Sequence, residues 1–202
     1  TRENGSEFGS SATAGKVLRN AVRNLMMNAA DNRVTSRLTQ VMTQIKNYDV
    51  ASVRGERTVA DGIADPAALA LLKDFDFNDK AILSGVLFAP FTVTTATGEI
   101  GIPAFVPIND ISFPSGATHI SLKAAYANVD FTNEISAIEY SPVTNLPIDG
   151  TNTPVTLTPA AVPAGTGTKF YLLLIEFFQE VNGIQYSLKN GSYNVLNIVE
   201  VA

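Results

Sequence analysis

The sequence predicts a mainly β protein with an N-terminal helical segment: an antiparallel β-sandwich, immunoglobulin-like or jelly-roll, preceded by a helical hairpin. Apolar residues recur at helical spacing from Thr13 to Ile45. The period then changes to two, from about residue 75 onward. Pro and Gly turns separate the short strands that follow, with no helical pattern between them, which is the signature of a two-layer all-β unit. These patterns carry no information on strand order.

The chain opens with TRENGSEFGSS (residues 1–11), which is polar, has one large apolar residue (Phe8) and shows neither period. Residues 1–12 therefore read as an extended N-terminal arm. Two apolar stripes follow, Val17, Leu18, Val22, Leu25 and Met26, then Val34, Leu38, Val41, Met42 and Ile45, with the Asp31–Asn32 pair between them. They predict a helical hairpin, or one long helix with a break, burying Leu18, Leu25, Leu38 and Met42. Residues 47–64 are broken by glycines and read as a connector. Asp65 as N-cap and Pro66 at the first helical position start a short helix ending near Lys73. Residues 13–74 form the helical segment and connector, and 75–202 the sandwich.

Nine strands are predicted: 81–89, 91–95, 99–105, 119–131, 134–140, 153–159, 169–181, 184–188 and 193–201. Asn182–Gly183 and Asn190–Gly191 both sit between apolar alternations. Type I′ turns need positive φ at both central positions, so both pairs predict hairpins, and the last three strands a meander.

The 202 residues suffice to bury a substantial core. Apolar runs such as YLLLI (171–175) fall far short of the roughly 20 residues a membrane helix needs. With no cysteine, a disulfide framework, a thiolate metal site and a cysteine nucleophile are all excluded. The first residue is not Met and no signal peptide stands in these residues, which reads either as a trimmed chain or as a piece of a longer precursor. Abundant Thr and Asn with few Lys suits an extracellular, cell-surface or virion location.

The net charge of −5 is unevenly spread. Residues 1–57 hold nine Lys and Arg against five acids, giving +4; the rest holds five against fourteen, giving −9. A basic front could attract nucleic acid or membrane. It could equally meet the acidic body of another copy, which is the partner expected here; no nucleic acid and no membrane span are expected.

Candidate chemistry fails position by position. GSSATAGK (9–16) has five residues between Gly9 and Gly15, where a phosphate-binding loop has four, and Val17 follows Lys16 where Ser or Thr is required. A flexible lead into the helix is the plainer reading. In DFDFND (74–79), Asp74, Asp76 and Asn78 have calcium-loop spacing, but Asp79 stands where the turn needs Gly and Gly85 where a bidentate Glu should be. Phe75 and Phe77 alternating with acids instead describe a half-buried edge strand. His119, the only histidine, alternates with Ile120 and Leu122 and reads as an exposed strand residue. Glu176 and Glu180 share a strand face, as a glycosidase pair would, but read as two solvent-facing acids. No catalytic, cofactor-binding or metal residue is expected.

TREN and GSEFG, the basic helix GKVLRNAVRNL, SRLTQVM, VRGER, LFAPF and the closing IEFFQEVNGIQYSLKNGSYNVL together resemble an uncharacterised family of Bacteroidota proteins, end to end. GSEF also spells two adjacent cloning sites; the resemblance implies instead a native N-terminus, and it carries over no site residues. The functional expectation is a non-enzymatic subunit that self-assembles into a filament, sheath, surface layer or virion. Arg2, Glu3, Asn4, Phe8, Arg19 and Arg23 are its expected subunit contacts, with the arm lying on a neighbouring copy. The alternative is a monomeric adhesion or carbohydrate-binding module, marked by a concave cluster of exposed Tyr.

Overall fold

The computed structural model describes residues 2–202; Thr1, the first residue of the expected arm, lies outside them. The chain is mainly antiparallel β with helices first, consistent with a β-sandwich, and the helices add a third layer. Helices α1 (Arg2–Ala21), α2 (Arg23–Met26) and α3 (Val34–Ile45) form the predicted hairpin, and Leu18, Leu25, Leu38 and Met42 are all buried. Short helices α4 (Val59–Gly62) and α5 (Pro66–Ala70) follow. Asp65 caps α5 by accepting the Ala67 N–H at 2.8 Å, as its position before Pro66 predicts.

The central layer is a six-stranded sheet built on two long antiparallel strands, β3 (His119–Asp130) and β7 (Thr168–Val181). Each is flanked by two shorter strands laid end to end. Along β3 run β4 (Ile135–Tyr140) and β5 (Thr144–Pro147), separated at Ser141, which exchanges hydrogen bonds with Ala124. Along β7 run β8 (Ile184–Ser187) and β9 (Val195–Val201). The second sheet, on the face away from the helices, is a small antiparallel one of β1 (Thr92–Thr94), β2 (Glu99–Ile102) and β6 (Val155–Leu157).

The central sheet is therefore buried on both faces. Leu172, Leu174, Leu196 and Ile198 pack with Leu18, Leu38 and Met42 on the helical side. Tyr171, Leu173, Ile175 and Phe177 pack with Ile100, Ile102 and Leu157 on the other. Because the helices cover one face of the sheet, the helical segment and the sandwich share a core across residue 75.

Three expectations are corrected. First, residues 2–12 are the N-terminal half of α1, not an extended arm, and GSSATAGK lies within the same helix. Second, only one of the two Asn-Gly hairpins forms. Asn182 and Gly183 have φ of 53° and 78°, the geometry of a type I′ turn joining β7 to β8. Asn190–Gly191 lies instead in a loop between β8 and β9, which both pair with β7 and not with each other. Side chains hold that loop open: Asn78 Nδ2 donates to the carbonyls of Gly191 and Asn194, and Asn194 Nδ2 donates to Asn28 O. Third, residues 81–89 are not a strand. They make a helical turn, α6 (Leu83–Val86), whose first N–H is taken by the Asp76 carboxylate at 2.9 Å. A last short helix, α7 (Pro107–Asp110), precedes β3.

Candidate assembly surface

What holds residues 2–12 in a helix is tertiary contact. Gly5 and Gly9 each cost helix stability of about 1 kcal/mol relative to Ala. Three contacts oppose this. Glu7 is buried and pairs with Lys46, which immediately follows α3, and accepts the Gly55 N–H at 2.8 Å. Those two bonds, Lys46 first, hold the Glu7 carboxyl below its ordinary range. Ser11, fully buried, packs in the same seam and back-bonds to Glu7 O. Arg54 lies 3.7 Å from the Glu3 carboxylate and donates to Asn4 Oδ1 at 3.3 Å. Ala14, Gly15 and Leu18 complete the seam, small residues letting α1 approach Leu38 and Thr39 of α3.

The expected contact residues thus divide. Glu3 and Asn4 are engaged by Arg54 of their own chain, on its surface. Arg19 is half-buried, with a buried Nε lacking a partner, while Arg2 and Arg23 are exposed. Phe8 has no apolar pocket of its own: it is 59% exposed. It stands on the wall of a groove of about 720 Å³ running between α1 and α3, with Ala12 beside it and Thr35, Ser36, Thr39 and Thr43 opposite. Among the described residues no charged one lines this groove, in a segment otherwise rich in charge. Lys16, one turn beyond Ala12, and Arg33, just before α3, are exposed near its end. The sequence signal for the seam behind it was faint: the stripe of Leu18 continues backwards at helical spacing only through Ala14, Ser11 and Glu7, which look polar or neutral.

The candidate chemical groups are not gathered in one place. Asp76 accepts from Leu83 N–H and Asn197 Nδ2, each at 2.9 Å, inside the fold rather than at a solvent-facing edge. The segment around it does act as an edge, since Asp74 N–H and Phe77 N–H donate to Ile198 and Leu196 of β9. His119 is half-buried, with Nδ1 2.9 Å from Thr118 Oγ1 and Nε2 3.6 Å from Glu180. Glu176 accepts from Asn28 Nδ2 at 3.1 Å on the helical side of the sheet, so it is tied to the helical layer. A second cavity, about 520 Å³, sits by the β3–β4 turn, but its one acidic side chain, Asp130, is taken by Thr132 N–H and Asn133. Among the described residues no three His, Cys, Asp or Glu converge as a metal site, and no helix is long and apolar enough to cross a membrane. No family model, no curated protein and no solved structure matches this chain.

Proposed function

We propose that this chain is a non-enzymatic structural subunit that self-assembles into an extracellular or virion polymer. The observation that carries this reading is the uncharged α1–α3 groove with Phe8 exposed on its wall, set in the basic part of a chain whose other part is acidic. Exposing a large aromatic beside an uncharged groove forgoes part of the about 2–3 kcal/mol that full burial of a Phe is worth, which a second molecule can recover. Complementary charge then orients the encounter. Residues 2–12 serve as one wall of that groove, in place of an arm that adds a strand to a neighbour.

The alternative of a carbohydrate-binding module finds less support. It calls for exposed tyrosines on one concave face, whereas Tyr126 and Tyr171 are buried and stacked at 4.6 Å, Tyr140 lies under Lys123, and Tyr186 alone is exposed. Size-exclusion chromatography with negative-stain imaging tests the proposal. Wild-type protein forms particles larger than one chain, and Phe8→Ser, which touches no core, reduces them. A monomer at every concentration sinks the proposal.

A further inference from the structure

The β7–β8 hairpin carries a second unexplained apolar surface. Val181, Ile184 and Tyr186 are 47%, 56% and 56% exposed. The register pairs Val181 with Ile184 and Gln179 with Tyr186, so all three apolar side chains share one face of the hairpin, while Glu180 and Gln185, paired with each other, take the opposite face. The far edge of β8 is unpaired. This is an amphipathic edge hairpin whose turn is fixed by two positive-φ residues. It sits in the acidic part of the chain, and its one charged residue is Glu180.

We propose that the occupant of the α1–α3 groove is the β7–β8 hairpin of a second copy, its Val181, Ile184 and Tyr186 face laid against Phe8 and Ala12. The inference rests on the self-assembly reading and specifies its contact. Three features fit the two surfaces together. The groove is concave, uncharged and of the size that takes a few side chains. The hairpin is convex and apolar on one face. The cations near the groove, Lys16 and Arg33, meet an element whose one charge, Glu180 on the flank turned away from the apolar side chains, is acidic, whereas two grooves facing each other would oppose like charges. Since groove and hairpin are different surfaces of one chain, the contact is head-to-tail, and its repetition builds a ring or a fibre according to the rotation per copy.

The absence of cysteine gives a clean test. Ala12→Cys and Ile184→Cys are made separately, and the two variants are mixed with a short bis-maleimide. Heterodimers are expected from the mixture, none from either variant alone, and a ladder of oligomers from the double variant. In parallel, Ile184→Asp in an otherwise wild-type chain raises the concentration needed for assembly about tenfold or more, the scale of losing one central apolar anchor. Circular dichroism confirms that the exposed substitution leaves the monomer folded. If the wild type assembles but Ile184→Asp assembles equally and the mixture gives no cross-link, the hairpin is not the occupant, while the self-assembly reading stands. Cross-linking of Ala12→Cys with itself points to groove-on-groove pairing and overturns the proposal likewise. A wild type that never assembles overturns both.

Discussion

Asp76→Asn is expected to stabilise this protein at neutral pH. The Asp76 carboxyl is pushed up from its ordinary value, chiefly by burial, with Asp74 adding to the push and Arg37 and the bonds from Asn197 and Leu83 N–H opposing it. A carboxyl whose folded pKa lies above the unfolded one favours folding fully below the unfolded value and loses that contribution as pH rises through the folded value. At pH 7 wild-type Asp76 is thus a cost. Asparagine keeps an acceptor for Leu83 N–H and Asn197 Nδ2, and it brings a donor beside Asn197, whose own buried Oδ1 has no partner. Removing a buried charge while satisfying one more buried polar atom is worth about 1–2 kcal/mol. For a chain of this length that raises Tm by about 2–8 °C. Thermal unfolding of both proteins from pH 7 to pH 3 checks the sign, because the advantage shrinks as wild-type Asp76 takes up its proton. A destabilised variant at pH 7, or a difference that does not change down to pH 3, would refute the reasoning.

Other expectations follow from the shared core and its anchors. Leu38→Ala empties a fully buried site between α1 and the sheet, costing about 2–5 kcal/mol; helical and aromatic signals fall in one transition, whereas two transitions would mean that the helices fold apart from the sandwich. Glu7, held below its ordinary value by Lys46 and Gly55, contributes stability above pH 4.5 that is lost as pH falls through its lower folded value. Glu7→Gln therefore narrows its deficit against wild type in acid, read by urea unfolding at pH 7 and pH 3. Gly183→Ala forces a side chain to φ 78° in the β7–β8 turn at about 1–2 kcal/mol. It weakens assembly more than it weakens the fold, because the turn shapes the edge hairpin.

How far such a fold is legible depends on where each signal resides. The α3 stripe, the Asp65–Pro66 start and the Asn182–Gly183 turn are local patterns, and each appears where its chemistry places it. Asn190–Gly191 is the same dipeptide with a different outcome, because β9 continues along β7 beyond β8 and the loop between them is held by Asn78, more than a hundred residues away in the chain. The helical turn at 83–86 is likewise decided from outside, by the carboxylate of Asp76. One overlooked signal was local. FYLLLI (170–175) is continuously apolar, where a sheet with one wet face would alternate, and continuity over that length marks a strand buried on both sides. It pointed to a third layer on the sheet before any helix was placed.

The N-terminal half of α1 joins the legibility of the fold to its function. Its own residues are poor helix formers, so its conformation depends on partners supplied by Lys46, Arg54 and Gly55. Phe8 projects from this conditionally stable turn, one residue past Glu7, and the groove wall exists only while the helix does. Loosening the Glu7–Lys46 pair would therefore free Phe8 and dissolve the groove together, without touching either surface directly. Segments of low local stability are where binding elements are commonly found, and here the anchor and the proposed contact are consecutive residues, about 100° apart around one helix. Loss of assembly on Lys46→Met, with the sheet intact by near-ultraviolet circular dichroism, is the expected consequence; undiminished assembly would show that the wall provided by residues 2–12 is not part of the contact.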